Sequence, residues 1–317
     1  MEHFVTLFDS FFLPQGVALH LSLQRHAGPH TLWVVCVDDE AHDVLSRLKL
    51  PNVKPMRLAE LETPDLLRVK PGRTRGEYCW TLTPFAPRFV FEAAPEVERV
   101  TYLDADLWFR QSPREIFREF DASGKAVLIT EHAYAPEYDR SLLNGKFCVQ
   151  FMTFHRERGE RVRQWWEERC IEWCFNRVED GKFGDQCYLN DWPQRFADAV
   201  HVLQNRELIL APWSASRFPY GQAAVWHFHS LRIINAHRVS PAISLYHLPA
   251  VVLEQIYLPY NRDLSAALSI LQSSQWVLRP QLRRFSRDNL VRLAHGVWAP
   301  IKRLIFKYRA SRLQAPK

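Results

Sequence analysis

Residues 100–103, Val-Thr-Tyr-Leu, form an apolar β-type run that ends on two carboxylates one residue apart, Asp104 and Asp106. A buried strand opening onto paired charge restricts the fold. The strand must lie in a covered sheet, and its carboxyl end must reach a crevice. Open α/β sheets meet both conditions, because their ligands bind outside the carboxyl ends of the strands. Side chains at i and i+2 of an extended chain point to one side, so the two carboxylates repel each other unless a cation sits between them. A hard divalent ion, Mg²⁺ or Mn²⁺, accepts such oxygen ligands and leaves coordination positions for phosphate oxygens. A solvated turn would also tolerate the triplet, but turn pairs lie among polar residues, and here Leu107, Trp108 and Phe109 follow.

The flanking chain reads as alternating strands and helices. Residues 4–8 and 31–37 are apolar strand runs, the second ending in Asp38 and Asp39. Residues 53–58, 100–103 and 127–130 continue the series, with helical patterns over 13–26, 41–48, 78–94 and 160–176 between them. Residues 149–154 alternate, and 200–203, 208–211 and 224–228 read as late short strands. Residues 64–76, polar and basic with Pro71 and Gly72, read as a loop. Strands alternating with helices predict an α/β fold with a mostly parallel sheet covered on both faces. With 317 residues, 47% of them hydrophobic, the chain can bury a large core.

The net charge of +6 is unevenly placed. The last 42 residues, Trp276 to Lys317, hold 11 of the 41 Lys and Arg but a single acid, Asp288, which leaves the preceding body at −4. The expected division is therefore a catalytic domain over 1–270 and a basic amphipathic helical segment over 271–317. Apolar residues recur at helical spacing over 290–313 and Pro300 divides them into two helices. A basic amphipathic helix fits the surface of an anionic membrane; packing on the catalytic domain is the alternative. Six scattered cysteines point to reduced thiols. The amino terminus lacks a basic n-region and an apolar h-region, and no stretch of about 18 apolar residues occurs. The expected location is cytoplasmic, peripheral at the inner face of the membrane.

Several motifs occur together and in order: Phe-Val-Thr-Leu-Phe-Asp at 4–9, Thr-Arg-Gly-Glu-Tyr-Cys-Trp-Thr at 74–81, Tyr-Leu-Asp-Ala-Asp-Leu at 102–107, Phe-Gly-Asp-Gln at 183–186, Ala-Pro-Trp at 211–213 and Trp-His-Phe-His at 226–229. In this set the chain resembles the metal-dependent nucleotide-sugar glycosyltransferases of GT-A (Rossmann-like) fold, close to glycosyltransferase family 8 and related bacterial polysaccharide enzymes. It departs from them after the late histidine. Ser230, Leu231, Arg232 and Ile233 stand where family 8 enzymes usually carry a glycine and Lys-Pro-Trp. Ser214 stands where near relatives would have Asn after Pro-Trp.

The resemblance implies a role for each piece. Asp104 and Asp106 bind the metal, and Asp104 also reaches the ribose. His227 and His229 alternate in one strand; one completes the metal shell, with His229 favoured. An imidazole ligand favours Mn²⁺ over Mg²⁺. Thr6, Phe8 and Asp9 hold the nucleobase, with Asp38 and Asp39 near the nucleoside. Arg73 and Arg75, oriented by Glu77 and Tyr78 and assisted by Lys70, suit phosphate oxygens because guanidinium forks match them; a solvated basic loop is the alternative. Arg232 takes over the lysine's contact with diphosphate. Asp185 and Gln186 sit beside the anomeric carbon, although Asp185 could instead cap a helix. Trp80, Trp213 and Trp226 either stack on sugar or base or pack in the core. The implied donor is a nucleotide sugar, a UDP-sugar foremost. The implied acceptor is a surface glycan or lipid-linked hydroxyl, with anomeric configuration retained.

Two other functions are open to such a chain. Sugar-nucleotide nucleotidyltransferases carry a Gly-rich basic loop after the first strand, and here that loop is Asp-Ser-Phe-Phe-Leu-Pro. A nucleic-acid-binding protein would use the basic carboxyl end, but the body is acidic, so no nucleic-acid partner is expected.

Overall fold

The computed structural model describes residues 1–219, 223–236, 238–240 and 245–281. The amphipathic pattern over 290–313 lies outside the described residues. Seven strands form the main sheet: β1 (Glu2–Phe8), β2 (His30–Cys36), β3 (Val53–Arg57), β4 (Arg99–Leu103), β6 (Val127–Glu131), β7 (Phe147–His155) and β8 (Val200–Val202), in the order β3-β2-β1-β4-β7-β6-β8. β7 alone runs antiparallel to its neighbours β4 and β6. A smaller sheet has the order β5-β10-β9, from β5 (Leu107–Phe109), β9 (Ile209–Leu210) and β10 (Val225–His227). A two-stranded ribbon pairs β11 (Arg232–Asn235) with β12 (Arg238–Ser240).

The central strands are buried and mostly apolar because helices cover both sheet faces. Their side chains alternate between two cores. Phe4, Phe8, Leu32 and Val34 pack with Leu19 and Leu23 of α1 (Leu13–His26). Val5, Leu7, Trp33 and Val35 pack on the other face with Leu82 of α4 (Arg75–Leu82) and Phe89 of α5 (Phe85–Ala93). Beyond β7, Met152 and Phe154 pack with Trp166 of α8 (Glu160–Glu172).

The remaining helices are α2 (Asp39–Leu48), α3 (Pro64–Val69), α6 (Arg114–Ser123), the single-turn α7 (Ser141–Asn144) and α9 (Trp192–Arg195), and a carboxy-terminal pair. In that pair, α10 (Ala250–Val252) continues through a π-turn over Leu253–Tyr257 into α11 (Leu258–Ser273). Residues 64–76 are thus not a plain loop. Thr63 caps α3 through the Leu66 N–H, and Thr74 with Glu77 forms a reciprocal capping box that starts α4 at Arg75. The run over 78–94 is two helices broken at Thr83-Pro84, because Pro84 has no N–H to continue the ladder.

α11 packs along α1, and the Trp108 indole of β5 donates to Asp263 Oδ2 at 2.6 Å. Trp276 is buried, and the Gln281 amide donates to Phe11 O at 2.7 Å. Residues 271–281, assigned by the charge pattern to the carboxy-terminal segment, are therefore held against the α/β body through Trp276 and Gln281. Among the described residues, no helix is long and apolar enough to cross a membrane.

One glycine fixes how β1 meets the crevice. A Cβ on Gly16 of α1 would run into the Phe8 ring at the carboxyl end of β1. Replacing a helical glycine by alanine gains up to about 1 kcal/mol, whereas overpacking costs about 1–3 kcal/mol. Gly16→Ala is thus expected to lower stability in urea unfolding by on the order of 1 kcal/mol and to displace Phe8. A stabilised variant would refute the contact's importance.

Candidate active site

A crevice of about 860 Å³ opens at the carboxyl ends of β1 and β4. Phe8, Asp9, Arg75 and Cys79 line one end, Asp104, Asp106, His227 and Asp185 the middle, and His132, Tyr134, Tyr138, Trp213 and Tyr246 the other end.

Backbone pairing places the carboxylates. The Asp104 N–H donates to Gln150 O of β7 at 2.9 Å, and the Leu107 N–H closes a turn on Asp104 O at 3.1 Å. The Phe228 N–H donates to Asp106 O at 2.9 Å, in a register that sets His227 opposite Leu107. Asp104 and Asp106 thus project from the link between the main sheet and the small one, and β10 brings His227 to them. His227 Nε2 lies 3.0 Å from Asp106 Oδ1 and 3.7 Å from Asp104 Oδ2. Each residue offers a ligand atom within 4.8 Å of the others. Two cis ligands about 2.1 Å from an octahedral ion lie roughly 3 Å apart, so this donor set fits a divalent cation.

The histidine in this group is His227, not His229. The alternation that would put both on one side ends with β10 at His227. The chain then turns through Ser230, whose φ of +63° is left-handed. His229 lines the same crevice, its ring 5.9 Å from that of His227 and 5.2 Å from Trp213. Ser230 thus holds the backbone conformation that the usual glycine adopts without strain.

The local charges oppose one another. Burial, with repulsion from Asp106, pushes Asp104 up to about 6, against the pull of His227. Burial also acts on Asp106, but the charges of His227, His229 and Arg232 hold it below the ordinary carboxylate range. Burial disfavours the His227 cation, yet Asp106 outweighs it and the histidine is raised well above its usual value. The imidazolium stands where a metal ion would compensate the same carboxylates.

Asp185 follows Gly184, whose φ is +54°. Its carbonyl accepts from the Trp166 indole at 2.8 Å, and its side chain is 2% exposed with Oδ2 unpartnered. Burial, then the Asp104 charge, pushes its carboxyl up to about 8. Gln186, not Asp185, caps the following helical turn, and no side-chain cap bond is made. The Gln186 amide donates to Asn144 O at 2.6 Å.

At the other end of the crevice, Arg75 pairs with Asp9 Oδ2 at 2.7 Å and with Asp38 Oδ2 at 2.5 Å. Asp38 also takes the Ser10 hydroxyl at 2.8 Å. Two expected residues lie elsewhere. Arg73 bonds the Thr81 hydroxyl and Ile171 O and lies over the Phe175 ring, so it ties α4 to α8 instead of facing the crevice. Thr6 is fully buried within β1 and does not line the crevice. Glu77 holds the capping box and the Asn176 N–H, and Tyr78 donates to Glu62, so neither orients an arginine. Lys70 pairs with Glu62. Arg232 of β11 reaches the site through its charge on Asp106. Trp80 and Trp213 line the crevice, while Trp226 is core.

Sequence reasoning did not find Gln150, whose Oε1 lies 2.7 Å from His227 Nδ1. A lone amide inside the apolar β7 was its signal. It also missed Tyr102, which donates to Asp104 Oδ1 at 3.0 Å, and Thr83, whose hydroxyl donates to Cys79 O and lowers the Asp185 carboxyl against its burial. The Gln150 contact leaves Nε2 facing the carboxylates. Losing such an outer partner costs about 10–100-fold in metal affinity, and Gln150→Leu is expected to weaken Mn²⁺ binding by that factor in calorimetry. Unchanged affinity would dismiss the positioning role.

The seven-stranded sheet, with a carboxylate pair where β4 leaves it for the small sheet, is the GT-A glycosyltransferase fold. The galactosyltransferase LgtC, solved with donor and acceptor sugar analogs, superposes with a TM-score of 0.53 and 13% identity over 80% of this chain and 100% of that one. No family model matches the chain. It belongs to the same family as the uncharacterized protein YfnF of Bacillus subtilis (strain 168), with 33% identity over 206 residues covering 63% of this chain and 68% of YfnF. The uncharacterized protein YfnD of the same organism is 27% identical over 290 residues, covering 86% of this chain and 91% of YfnD.

Proposed function

We propose that the protein is a metal-dependent glycosyltransferase that moves a sugar from a nucleoside-diphosphate donor, a UDP-sugar foremost, to a hydroxyl of a glycan or lipid-linked acceptor. One observation carries the reading: Asp104, Asp106 and His227 converge in the same crevice as Asp185, a buried carboxyl with an unpartnered oxygen. A nucleotidyltransferase would need a phosphate-cradling loop after β1, where this chain has Phe11, Phe12 and Pro14.

A divalent ion bound there, Mn²⁺ before Mg²⁺ because of the imidazole ligand, would supply positive charge to the departing diphosphate. Asp104, Asp106 and His227 would hold it. Phe8 and Asp9 flank the nucleoside, and Arg75, fastened by Asp9 and Asp38, fixes that end of the crevice. Asp185 binds a donor-sugar hydroxyl or faces the anomeric carbon, and Gln186 lies beside it. The bond from C1 to the β-phosphate oxygen breaks with its electron pair going to the diphosphate. The acceptor hydroxyl forms the new bond to C1 and gives up its proton to the departing diphosphate. Retention of configuration is the outcome implied by the family 8 resemblance. The aromatic end of the crevice suits sugar rings, whose C–H faces stack on such side chains. We place the enzyme in the cytoplasm, with the basic carboxy-terminal segment drawing it to the inner membrane face.

A panel of nucleotide sugars, tested for thermal stabilisation and for slow donor hydrolysis with Mn²⁺ and with chelator, tests the reading. At least one sugar nucleotide is expected to raise Tm and be hydrolysed only with the metal. If none stabilises the protein, the proposal fails.

A further inference from the structure

The charge pattern places Gln281 in the carboxy-terminal segment, outside the catalytic domain. In the fold it is 1% exposed and joins three distant parts of the chain. Its amide nitrogen donates to Phe11 O at 2.7 Å and to Gln15 Oε1 at 3.3 Å. Its Oε1 accepts from the Gln15 amide at 2.9 Å and from the Ile233 N–H at 3.0 Å. The Gln281 N–H donates in turn to Ile233 O at 2.8 Å. Phe11 O can only accept and the Ile233 N–H can only donate, so the orientation of the amide is fixed. Both of its donors and both acceptor lone pairs are used, and a fully satisfied buried network holds one arrangement.

The segments it joins flank the crevice. Phe11 and Phe12 form the turn after β1, and their N–H groups donate to Asp9 Oδ1 at 2.9 and 3.2 Å. Asp9 and Phe12 line the crevice. On the other side, β11 follows directly on His229 and Ser230, which also line it, and carries Arg232, whose charge acts on Asp106. β11 belongs to a two-stranded ribbon outside the main sheet, and Gln281 links it to the β1 turn. The metal ligands are held differently, Asp104 through Gln150 O of β7, and Asp106 and His227 through the pairing of β5 with β10.

We propose that Gln281 is a positioning residue of the donor site: it clamps the Phe11–Phe12 turn to β11 and so sets the spacing between Asp9, on the nucleoside side, and the Ser230–Arg232 stretch beside the metal ligands. The clamp stands on the hydrogen bonds; what it positions rests on the transferase reading.

The test is calorimetry with Mn²⁺ alone and with Mn²⁺ plus UDP, GDP, CDP or ADP, carried out on the full chain well below Tm. The diphosphate that wild type binds tightest is the probe for the variants. A misplacement of about 1 Å can cost on the order of a hundredfold, so Gln281→Met is expected to weaken that diphosphate by at least about tenfold. Mn²⁺ alone should bind this variant within about twofold of wild type, because its ligands are held by other bonds. Gln15→Met removes a buried amide from the same network but leaves Phe11 O and the Ile233 N–H bonded to Gln281. It should lower Tm and keep diphosphate affinity within about threefold. Should Gln281→Met not fold, Gln281→Asn, an amide too short to span Phe11 O and the Ile233 N–H, is read by the same criteria. The proposal is overturned if the Gln281 variant keeps wild-type diphosphate affinity, if Mn²⁺ alone weakens as much as the diphosphate, or if Gln15→Met weakens the diphosphate equally. Each of these would make Gln281 a stabiliser of the fold only and leave the transferase reading standing. If wild type binds Mn²⁺ but none of the diphosphates, the transferase reading falls and the inference falls with it.

Discussion

Asp106→Ala is expected to lower metal-dependent donor hydrolysis by at least about a thousandfold and to abolish the Mn²⁺-dependent rise in Tm. Asp106 supplies the carboxylate nearest the imidazole of His227, at 3.0 Å, and is held ionised where Asp104 is pushed up to about 6. Removing it leaves one carboxylate whose own ionisation is disfavoured. Charge stabilisation at a leaving group contributes about 3–4 kcal/mol per well-placed donor, and an ion held by two ligands instead of three loses more than one such contribution. Without metal, His227 keeps its proton because of Asp106, so binding an ion must expel that proton. Mn²⁺ affinity of wild type is therefore expected to rise with pH, with proton uptake by buffer visible in calorimetry. The variant has lost the partner that raised His227 and should release less. Hydrolysis within tenfold of wild type would mean that the carboxylate pair is not the diphosphate site.

The parts of the site legible in the sequence were those fixed by local pattern. The run over 100–103 became β4 because apolar, β-prone residues with no turn signal have no other stable place in such a chain, and the carboxylates followed it by adjacency. Asp185 was legible through its motif, and its burial depends on Trp166, far away in sequence. The choice between His227 and His229 was not legible. Strict alternation treats them alike, and only the pairing of β10 with β5 shows where the strand ends. Arg73 and Arg75 look equivalent in a basic stretch, yet the start of α4 sends the first to Ile171 O and the second to Asp9. Gln150 required knowing that β7 lies beside β4, a pairing between segments about 50 residues apart.

Asp185→Asn separates stability from function. The substitution keeps shape and removes only the ionisable oxygen. In the wild-type protein without metal, burial and Asp104 push the carboxyl from 3.8 up to about 8. Between those values the unfolded chain has released its proton and the folded chain still binds one. The unfolded state then holds fewer protons, and stability falls as pH rises from about 4 to about 8. Asn has no such proton to lose. The variant is therefore expected to show a flatter pH profile and, at pH 8 in chelator, to exceed wild type by on the order of a few kcal/mol in urea unfolding. Activity should move the other way. A group that touches the donor sugar or the developing charge at C1 contributes about 10²–10⁴-fold, so kcat for donor hydrolysis is expected to fall by at least about a hundredfold. Mn²⁺ affinity should change only a fewfold, because Asp185 is not among the three ligand groups. A variant with wild-type kcat and a flattened stability profile would make Asp185 a buried structural acid. One with lost kcat and an unflattened profile would mean that the carboxyl is already ionised at neutral pH, and that its charge, not its proton, serves the reaction.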